Sequence, residues 1–273
     1  MRHTNQQLDN VSIPWGGKTT VHLDTGAVLS EIVLMTNLNN NQLLQVQVKL
    51  GGDVIYDLTG EDLRMLESYK NKAYAIETLP DGVFIIPFDD LTGRTEDGQN
   101  LTGLVTGAQD NLTLILKVAA ATAQQTTDGA VPEIAGFIRQ RARKVFDGAL
   151  EKRMMVPRKY VLDIDASATG LNNYSTFARG PRIQRMHMKS ANISNLIIKH
   201  NRLERWNMQT PQSNLMLERF ERNVQAGYLH FDAVASGFNL MDSLQTAGNS
   251  FEIKPTVTVA GNIPVLFEVL EAA

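Results

Sequence analysis

The order of predicted elements repeats once along this chain of 273 residues. Each half contains a strand pattern, a turn, a short segment with a large side chain, a capped helix and then a strand that begins with glycine. The stretch MLESY (65–69) returns as MLERF (216–220), 151 positions later. Because order and spacing agree over about 45 residues, the repeat predicts two copies of one β module, each with a single embedded helix.

Capping residues and apolar spacing place the two helices. The first follows Thr59, a favoured N-cap residue, and has acidic residues in its first turn. The second follows Thr210 and has Pro211 at its first position, where proline is well tolerated. Both carry an apolar stripe at helical spacing, formed by Leu63, Leu66 and Tyr69 in the first helix and by Met216, Leu217 and Phe220 in the second.

Most of the remaining chain alternates apolar and polar residues with a period of two, which is the pattern of a pleated strand with one buried face. The candidate strands are TTVHL (19–23), EIVLM (31–35), VQVKL (46–50), VFIIPF (83–88), NLTLILKV (111–118), KYVLDID (159–165), RIQRMHM (182–188), NLIIKH (195–200), GYLHFDAVA (227–235), FEIKPTVTV (251–259) and VLFEVL (265–270). Many short strands separated by turns indicate a sandwich or barrel.

The middle of the chain looks helical and basic. The length of the chain suits two domains. Between them, seven apolar residues fall on one face of a predicted helix: Ile134, Phe137, Ile138, Val145, Phe146, Ala149 and Leu150. Six cations occupy the rest: Arg139, Arg141, Arg143, Lys144, Lys152 and Arg153. We therefore predict domains at 1–130 and 159–273, joined by an amphipathic connecting helix at 131–158.

Three roles are open for this basic segment. It could bind an anionic membrane surface, contact nucleic acid, or pair its arginines with acidic groups of neighbouring domains and subunits. We favour the third role, and membrane proximity comes next. The net charge of −3 gives no support to direct nucleic acid binding.

Composition excludes several classes of protein. The chain has no cysteine, so it has no disulfide, thiolate nucleophile or Cys-ligated metal. The polar start MRHTNQQLDN lacks the apolar centre of a secretory signal, so we expect synthesis in a cytosol. The longest apolar run, LTLILKVAAA (112–121), is interrupted by Lys117 and is too short for a spanning helix.

No assembled catalytic set is apparent. The five histidines do not form HxxxH or HExxH, and the cupin-type ligand spacing is also missing. His187 and His230 alternate with apolar neighbours, so we expect them to be structural. Gly16 and Gly17 precede Lys18 but lack the remainder of a phosphate-binding loop, so we expect a turn there. We therefore predict no catalytic and no cofactor-binding residues.

Acidic residues in loops and strands offer hard oxygen ligands for calcium. The two groups are Asp89, Asp90, Glu96 and Asp97, and Asp163 with Asp165. Neither group has the EF-hand spacing, so solvated carboxylates are the favoured interpretation. We expect that no cofactor is required, and we assign calcium to no particular residues.

Two sets of segments carry a resemblance to a known family. The first half contributes LLQVQVKLGGDVIYDLTGEDLRMLESY (43–69) and GVFIIPF (82–88). The second half contributes GPRIQRMHMKSANISNLIIKHN (180–201), NLMLERF (214–220) and GYLHFDA (227–233). In their order, and in the total length, these segments resemble the double jelly-roll major capsid protein of corticoviruses, which are tailless icosahedral bacteriophages with an internal membrane.

The resemblance implies a mainly β fold of two tandem eight-stranded jelly rolls, each with one inserted helix. It implies a homotrimer with a pseudo-hexagonal outline that tiles an icosahedral shell over the internal membrane. Its expected partners are further copies of itself, neighbouring capsomers, vertex or penton proteins, minor capsid or membrane proteins, and the viral membrane. The expected location is the virion after synthesis in the host cytoplasm. The family supplies no catalytic residues, and its associated calcium is not placed on this chain.

Two other functions are open to a protein built of β sandwiches. A carbohydrate-binding or hydrolytic β-sandwich protein would present exposed aromatic platforms, but the only tryptophans are Trp15 and Trp206, and we expect Trp206 to be packed beside the second helix. A bicupin-like enzyme would need metal ligands that the histidine spacing does not supply. The capsid protein is the leading hypothesis.

Overall fold

The computed structural model describes residues 3–70, 79–95, 98–99, 102–123, 125, 129 and 131–273. The first half contains β1 (His3–Ser12), β2 (Lys18–Leu23), β3 (Val28–Thr36), β4 (Leu43–Leu50), β5 (Asp53–Leu58), α1 (Gly60–Tyr69), β6 (Val83–Pro87), β7 (Leu104–Val105), β8 (Leu112–Val118) and β9 (Glu133–Arg141). A small hairpin of β10 (Val145–Phe146) and β11 (Ala149–Leu150) follows.

The second half repeats this series of elements. It contains β12 (Met155–Ala166), β13 (Gly170–Leu171), β14 (Arg182–Met188), β15 (Ile193–His200), β16 (Leu203–Gln209), α2 (Thr210–Arg219), β17 (Leu229–Asp232), β18 (Leu244–Gln245), β19 (Phe251–Val257) and β20 (Gly261–Ala272). In each half the helix lies between the fifth and sixth main strands, so the predicted repeat of strand, helix and strand is confirmed.

Each half is a jelly roll of two four-stranded sheets. In the first half the strand orders are β1-β9-β3-β6 and β2-β8-β4-β5, and in the second half they are β12-β20-β14-β17 and β13-β19-β15-β16. The short strands β7 and β18 add to β3 and β14. The main strands run antiparallel within each half, and each half has its own apolar core. The predicted double jelly roll is confirmed.

The two halves share one continuous sheet. Strand β5 of the first half pairs with β12 of the second half in parallel, with Tyr56 opposite Lys159 and Asp57 opposite Tyr160. Val156 and Leu266 of the second half also pack into the core of the first half. The halves are therefore joined by main-chain pairing as well as by side chains.

The two helices occupy equivalent places in the two jelly rolls. The structural offset between them differs by one residue from the offset of 151 between MLESY and MLERF. Helix α1 has the predicted N-cap Thr59, whose hydroxyl accepts from the Asp62 N–H at 3.2 Å. Helix α2 begins one residue earlier than predicted, after N-cap residue Gln209, because the Thr210 hydroxyl donates to the Ile193 carbonyl at 2.6 Å. Thr59 therefore corresponds to Gln209, 150 positions later.

The hairpins before the helices confirm this offset of 150. The turn residues Gly51 and Gly52 have positive φ, as do Asn201 and Arg202. Both hairpins have an irregularity in register at the same place, just after β4 residue 48 and β15 residue 198. Across from these positions lie Tyr56 in β5 and Trp206 in β16. Tyr56 and Trp206 are thus structural counterparts.

The predicted connecting helix at 131–158 is wrong. Residues 133–141 form β9, which pairs with both β1 and β3, and residues 155–158 begin β12. The pattern Ile134, Gly136 and Ile138 buries alternate residues, and this period of two outweighs the helical spacing of the same apolar side chains. Gly136 suits a strand here because a Cβ at this position would lie 2.0 Å from the Val33 carbonyl oxygen.

Candidate functional site: the seam and the outer edges

The contact between the two jelly rolls, here called the seam, is centred on β5 and β12. Tyr56 on β5 is fully buried, and its hydroxyl donates to the Pro87 carbonyl at 2.7 Å. The Lys159 ammonium lies 5.6 Å from the centre of the Tyr56 ring. Burial raises the pKa of the Tyr56 hydroxyl well above its usual value. The residue therefore stays a neutral donor inside the seam.

A fully buried arginine links the halves through two carboxylates. Arg185 on β14 donates to Asp232 at 3.0 Å and, across the seam, to Asp90 of the first half at 2.7 Å. Asp232 also accepts from Tyr69 at the end of α1, at 3.1 Å, and from Arg222 at 3.0 Å. Burial would raise the pKa of Asp90, but Arg185, Lys70 and the Thr92 hydroxyl together outweigh burial and hold that pKa well below its usual range.

A second ionic group surrounds Glu268 on β20. Its carboxylate accepts from Lys159 at 2.5 Å and, across the seam, from Lys70 of the first half at 3.0 Å. Burial would raise the pKa of Glu268, but Lys159, Lys70 and Arg185 together lower it well below its usual value. Burial lowers the pKa of Lys159 to about 8, although Glu268 opposes this shift. Glu268 is thus matched by cations from both halves, while Asp90 of the first half and Asp232 of the second half share Arg185.

Two buried histidines extend the Glu268 group. The Gln225 N–H donates to His230 Nε2 at 3.1 Å, so this nitrogen carries no proton. The His230 Nδ1–H then donates to His187 Nδ1 at 2.7 Å, and the His187 Nε2–H donates to Glu268 at 3.2 Å. Burial lowers the pKa of His187, and burial with the neighbouring His187 lowers that of His230 to about 2. Both histidines are therefore neutral structural residues, as predicted.

Two outer strands are the counterparts of the strands that form the seam. Strand β16 is the second-half equivalent of β5, and β1 is the first-half equivalent of β12. Within the described part of the chain, β16 pairs only with β15 and β1 pairs only with β9. Both strands expose about every second residue or more. Each is an open sheet edge with unused main-chain donors and acceptors.

A groove of about 330 Å³ lies beside the open edge at β16. It is lined by Trp206, Met216, Phe220 and Phe231. The Trp206 ring packs edge-on against Phe231, with the ring centres 5.0 Å apart, and remains half-buried. Tyr56, its counterpart in the first half, is completely buried and has Lys159 of the second half beside its ring. The predicted packing of Trp206 is therefore confirmed on one side, while its outer side faces the groove.

Other residues considered from the sequence form no site together. Gly16 and Gly17 lie in a turn before β2, as expected, with Gly16 at a φ of 73°. Asp163 and Asp165 are exposed on β12, whereas Asp89 and Asp90 are buried near the seam, and Glu96 and Asp97 lie outside the described residues. Among the residues that the structure describes, no group of three or more His, Asp or Glu is arranged to hold a metal ion. Calcium stays a prediction without a site.

The basic middle segment forms ion pairs within the chain. Arg139 pairs with Glu31, Arg141 pairs with Glu151 at 2.7 Å, and Arg153 pairs with Asp110 at 2.6 Å. Arg139 and Arg153 thus pair with acidic groups of the first jelly roll, whereas Arg141 pairs within the segment itself, and pairing with neighbouring subunits stays a prediction. Neither described helix has the length and apolar content that crossing a bilayer would require.

Family models match almost the whole chain. The model of the viral coat protein P2 N-terminal domain matches residues 4–140, and that of the viral coat protein P2 C-terminal domain matches residues 156–273. The chain belongs to the viral coat protein P2 family. No curated protein sequence matches this coat protein.

Solved structures share the fold of this coat protein. The crystal structure of the major capsid protein P2 from Bacteriophage PM2 superposes with a TM-score of 0.82 at 13% identity, and covers 100% of this chain and 98% of that chain. The structure of Sulfolobus Turreted Icosahedral Virus gives a TM-score of 0.69 at 11% identity, covering 100% and 91%. The PBCV-1 virus capsid gives 0.65 at 10% identity, covering 99% and 95%.

The expected family is confirmed by these matches. The coat protein is the major capsid protein of a virus and is located in the virion capsid. The carbohydrate-binding and bicupin alternatives are not favoured. As a capsid component, the protein associates with other copies of itself in a shell.

Proposed function

We propose that three copies of this coat protein form a closed ring of six jelly rolls with a pseudo-hexagonal outline. These trimers tile an icosahedral shell over an internal membrane and contact neighbouring trimers, vertex proteins and minor capsid or membrane proteins. The role is structural and involves no catalysis and no direct nucleic acid binding. The single observation that carries the proposal is the pairing of β5 with β12 inside one chain, while their counterparts β16 and β1 stay open.

The trimer follows from repeating one contact. Within a chain, the β5 edge of the first jelly roll meets the β12 edge of the second. If the β16 edge of one copy meets the β1 edge of the next in the same way, every jelly roll has an equivalent neighbour on each side. This contact joins two different surfaces, so it forms a closed ring when the rotation closes after three chains.

Exposure of the counterpart residues supports this contact. Tyr56 and Asp57 lie where β5 meets β12, and their counterparts at the offset of 150 are Trp206 and Asn207. Trp206 is half-buried and Asn207 is exposed in the single chain. The next copy would cover these two residues and the apolar groove beside them.

A structural role is also supported by how the buried titratable groups are used. Arg185, Asp90, Asp232 and Glu268 all bond to partners across or within the seam. In the folded chain the three carboxylates are offset by Arg185 together with Arg222, Lys70 and Lys159. Such an arrangement stabilises the contact between jelly rolls and leaves no activated nucleophile or base.

The trimer is tested by mass photometry of the purified protein. Three chains of 30.2 kDa give a particle of about 91 kDa. We expect the variant Asn207→Lys to shift the population from this particle to monomers, because it places a charge in the middle of the proposed contact. A matched control is Val259→Lys, since Val259 is exposed outside that edge.

The control variant should keep the mass of the wild-type particle. Negative-stain images should show three-lobed particles with a hexagonal outline. A wild-type protein that stays monomeric at high concentration would contradict the proposal. So would an Asn207→Lys variant that forms the same particle as the wild type at every concentration.

A further inference from the structure

The hairpin between the two jelly rolls presents apolar side chains to the outside. Val145, Phe146 and Leu150 are each more than half exposed, with Phe146 at 60%, and Met154 just after the hairpin is 76% exposed. Asp147 and Gly148 form its two-residue turn with φ of 48° and 78°, which fits the twist of a tight hairpin. The apolar tip is therefore set on a defined backbone turn.

Ion pairs brace the base of this hairpin. Arg141 donates twice to the Glu151 carboxylate, at 2.7 and 2.9 Å, and the same carboxylate accepts from the Lys144 N–H at 3.0 Å. Arg153 donates to the Val105 carbonyl and to Asp110 of the first jelly roll. The hairpin is thus held in place before any partner arrives, which lowers the entropic cost of binding.

Strand ends place this hairpin at one end of the molecule, here called the hairpin end. Arg141, which ends β9, lies opposite His3 of β1 and Val28 of β3. The Ala273 N–H donates to the Met154 carbonyl, so the end of the chain lies there too. Helices α1 and α2 begin at the other ends of β5 and β16 and therefore mark the opposite end.

A second group of apolar side chains projects at the hairpin end from the second jelly roll. The loop between β17 and β18 exposes Phe238, Leu240 and Met241, and Met241 is 85% exposed. This loop lies at the hairpin end because β18 pairs with the first residues of β14. Leu203, the first residue of β16 after the turn from β15, is also exposed at this end.

Cations accompany each of these projections. The segment 142–154 carries four cationic residues and two carboxylates, and one of the carboxylates, Glu151, is already paired with Arg141. Exposed Lys152 follows the hairpin, and exposed Arg94 lies 5.3 Å from the Phe238 ring. Exposed Arg202 stands next to Leu203. Apolar tips flanked by cations match the interface of a bilayer with anionic headgroups.

We propose that the hairpin end docks on an anionic phospholipid bilayer, with Phe146 and its apolar neighbours entering the headgroup region. This inference rests on the proposed function, which places the shell over a membrane, and adds the residues that touch it. The projections belong to three different segments, namely the hairpin, the loop between β17 and β18, and the start of β16. A bilayer surface can receive several such tips at once, whereas a second copy would need a matching pocket for each.

The test is co-sedimentation of the full chain with vesicles of equal parts phosphatidylglycerol and phosphatidylcholine, and with vesicles of phosphatidylcholine alone. We expect binding to the anionic vesicles that weakens with added salt. Phe146→Asp should lower the partition onto them by about tenfold or more, because it removes a large apolar side chain and adds a negative charge. Leu215→Asp is the matched control, since Leu215 is 64% exposed on α2, which begins at the opposite end.

The possible results distinguish membrane docking from a contact between copies. Equal binding of Phe146→Asp and wild type overturns the proposal, and so does equal binding of the wild type to both kinds of vesicle. If Phe146→Asp changes the particle mass and leaves vesicle binding intact, the hairpin contacts a second copy and the proposal is wrong. Mass photometry of the same samples keeps the two proposals apart, because Asn207→Lys alters the trimer without touching the hairpin.

Discussion

The hydrogen bonds of the two histidines in the seam, His187 and His230, require both rings to be neutral. The chain of hydrogen bonds from Gln225 through His230 and His187 to Glu268 uses every ring nitrogen once, as donor or acceptor. Adding a proton to either ring would set two donors against each other. The neutral rings thus pack against Tyr69, with ring centres 4.5 and 4.8 Å away. Acid should therefore weaken the contact between the jelly rolls.

This yields a prediction about pH. The pKa of each seam histidine is lowered in the folded chain from an ordinary value of 6.5, so its stabilising contribution is present above that pH and is lost below it. Each contributes up to about 1.4 kcal/mol per pH unit. We expect the free energy of unfolding, measured by urea denaturation from about pH 7 to pH 4, to fall less steeply in His187→Gln. Exposed His22 supplies the control His22→Gln, which should keep the wild-type slope.

Asp89 works in the opposite direction within part of this range. Burial raises its pKa to about 6, so its contribution is present at low pH and is lost as the pH rises through 6. It therefore offsets the loss from one histidine between about pH 6 and pH 4. Asp89→Asn should remove this offset and steepen the fall. A slope that is the same in both variants and the wild type would contradict this account of the seam.

At the scale of elements, each helix packs a fully buried leucine against its jelly roll. Leu66 of α1 and Leu217 of α2 are completely buried, whereas Leu215 of α2 is exposed. Replacing either buried leucine by alanine should lower the free energy of unfolding by about 2 to 5 kcal/mol, because it leaves a cavity. Leu215→Ala is the control and should change it by less than ~0.5 kcal/mol. A loss below this limit at Leu66 or Leu217 would show that the helix is not anchored there.

The elements predicted correctly are those with one buried face. Strands such as β4 and β15 alternate regularly and were found from the sequence. Strands β1 and β16 were missed, because an edge strand in HTNQQLDN or LERWNMQ is mostly exposed and shows little alternation. The sequence of β9 predicts a helix instead of a strand because Ile134 and Ile138 fit both periods. Whether such a segment forms a strand depends on the strands that pair with it, and these are known only from the fold.

The contacts across the seam could not be predicted from the sequence. Arg185 and Glu268 occur within apolar strand patterns, where a charged residue ordinarily marks the solvent face. Their partners Asp90 and Lys70 lie far away along the chain, 95 and 198 residues distant. The one available signal was a single charge inside an apolar run, as in VLFEVL (265–270). Pairing over such distances follows from the topology of the whole molecule.

At the scale of the whole molecule, Arg185 is the residue on which the two jelly rolls most depend. Arg185→Leu would leave Asp90 and Asp232 buried without their common cation. We expect a loss of about 3 to 5 kcal/mol in the free energy of unfolding, measured by urea denaturation at fixed protein concentration. Exposed Arg202 supplies the control Arg202→Leu, which should cost less than ~0.5 kcal/mol. A loss under about 1 kcal/mol for Arg185→Leu would contradict this view of the seam.

The parallel pairing of β5 with β12 has a geometric consequence for assembly. It fixes, inside every newly folded chain, the angle at which one lobe follows another. If the contact between copies repeats that angle, the geometry inside each chain determines how many chains are needed to close the ring. A small distortion at this joint would then be multiplied around the circuit, and the result would be a spiral or an open fibre instead of a finished tile.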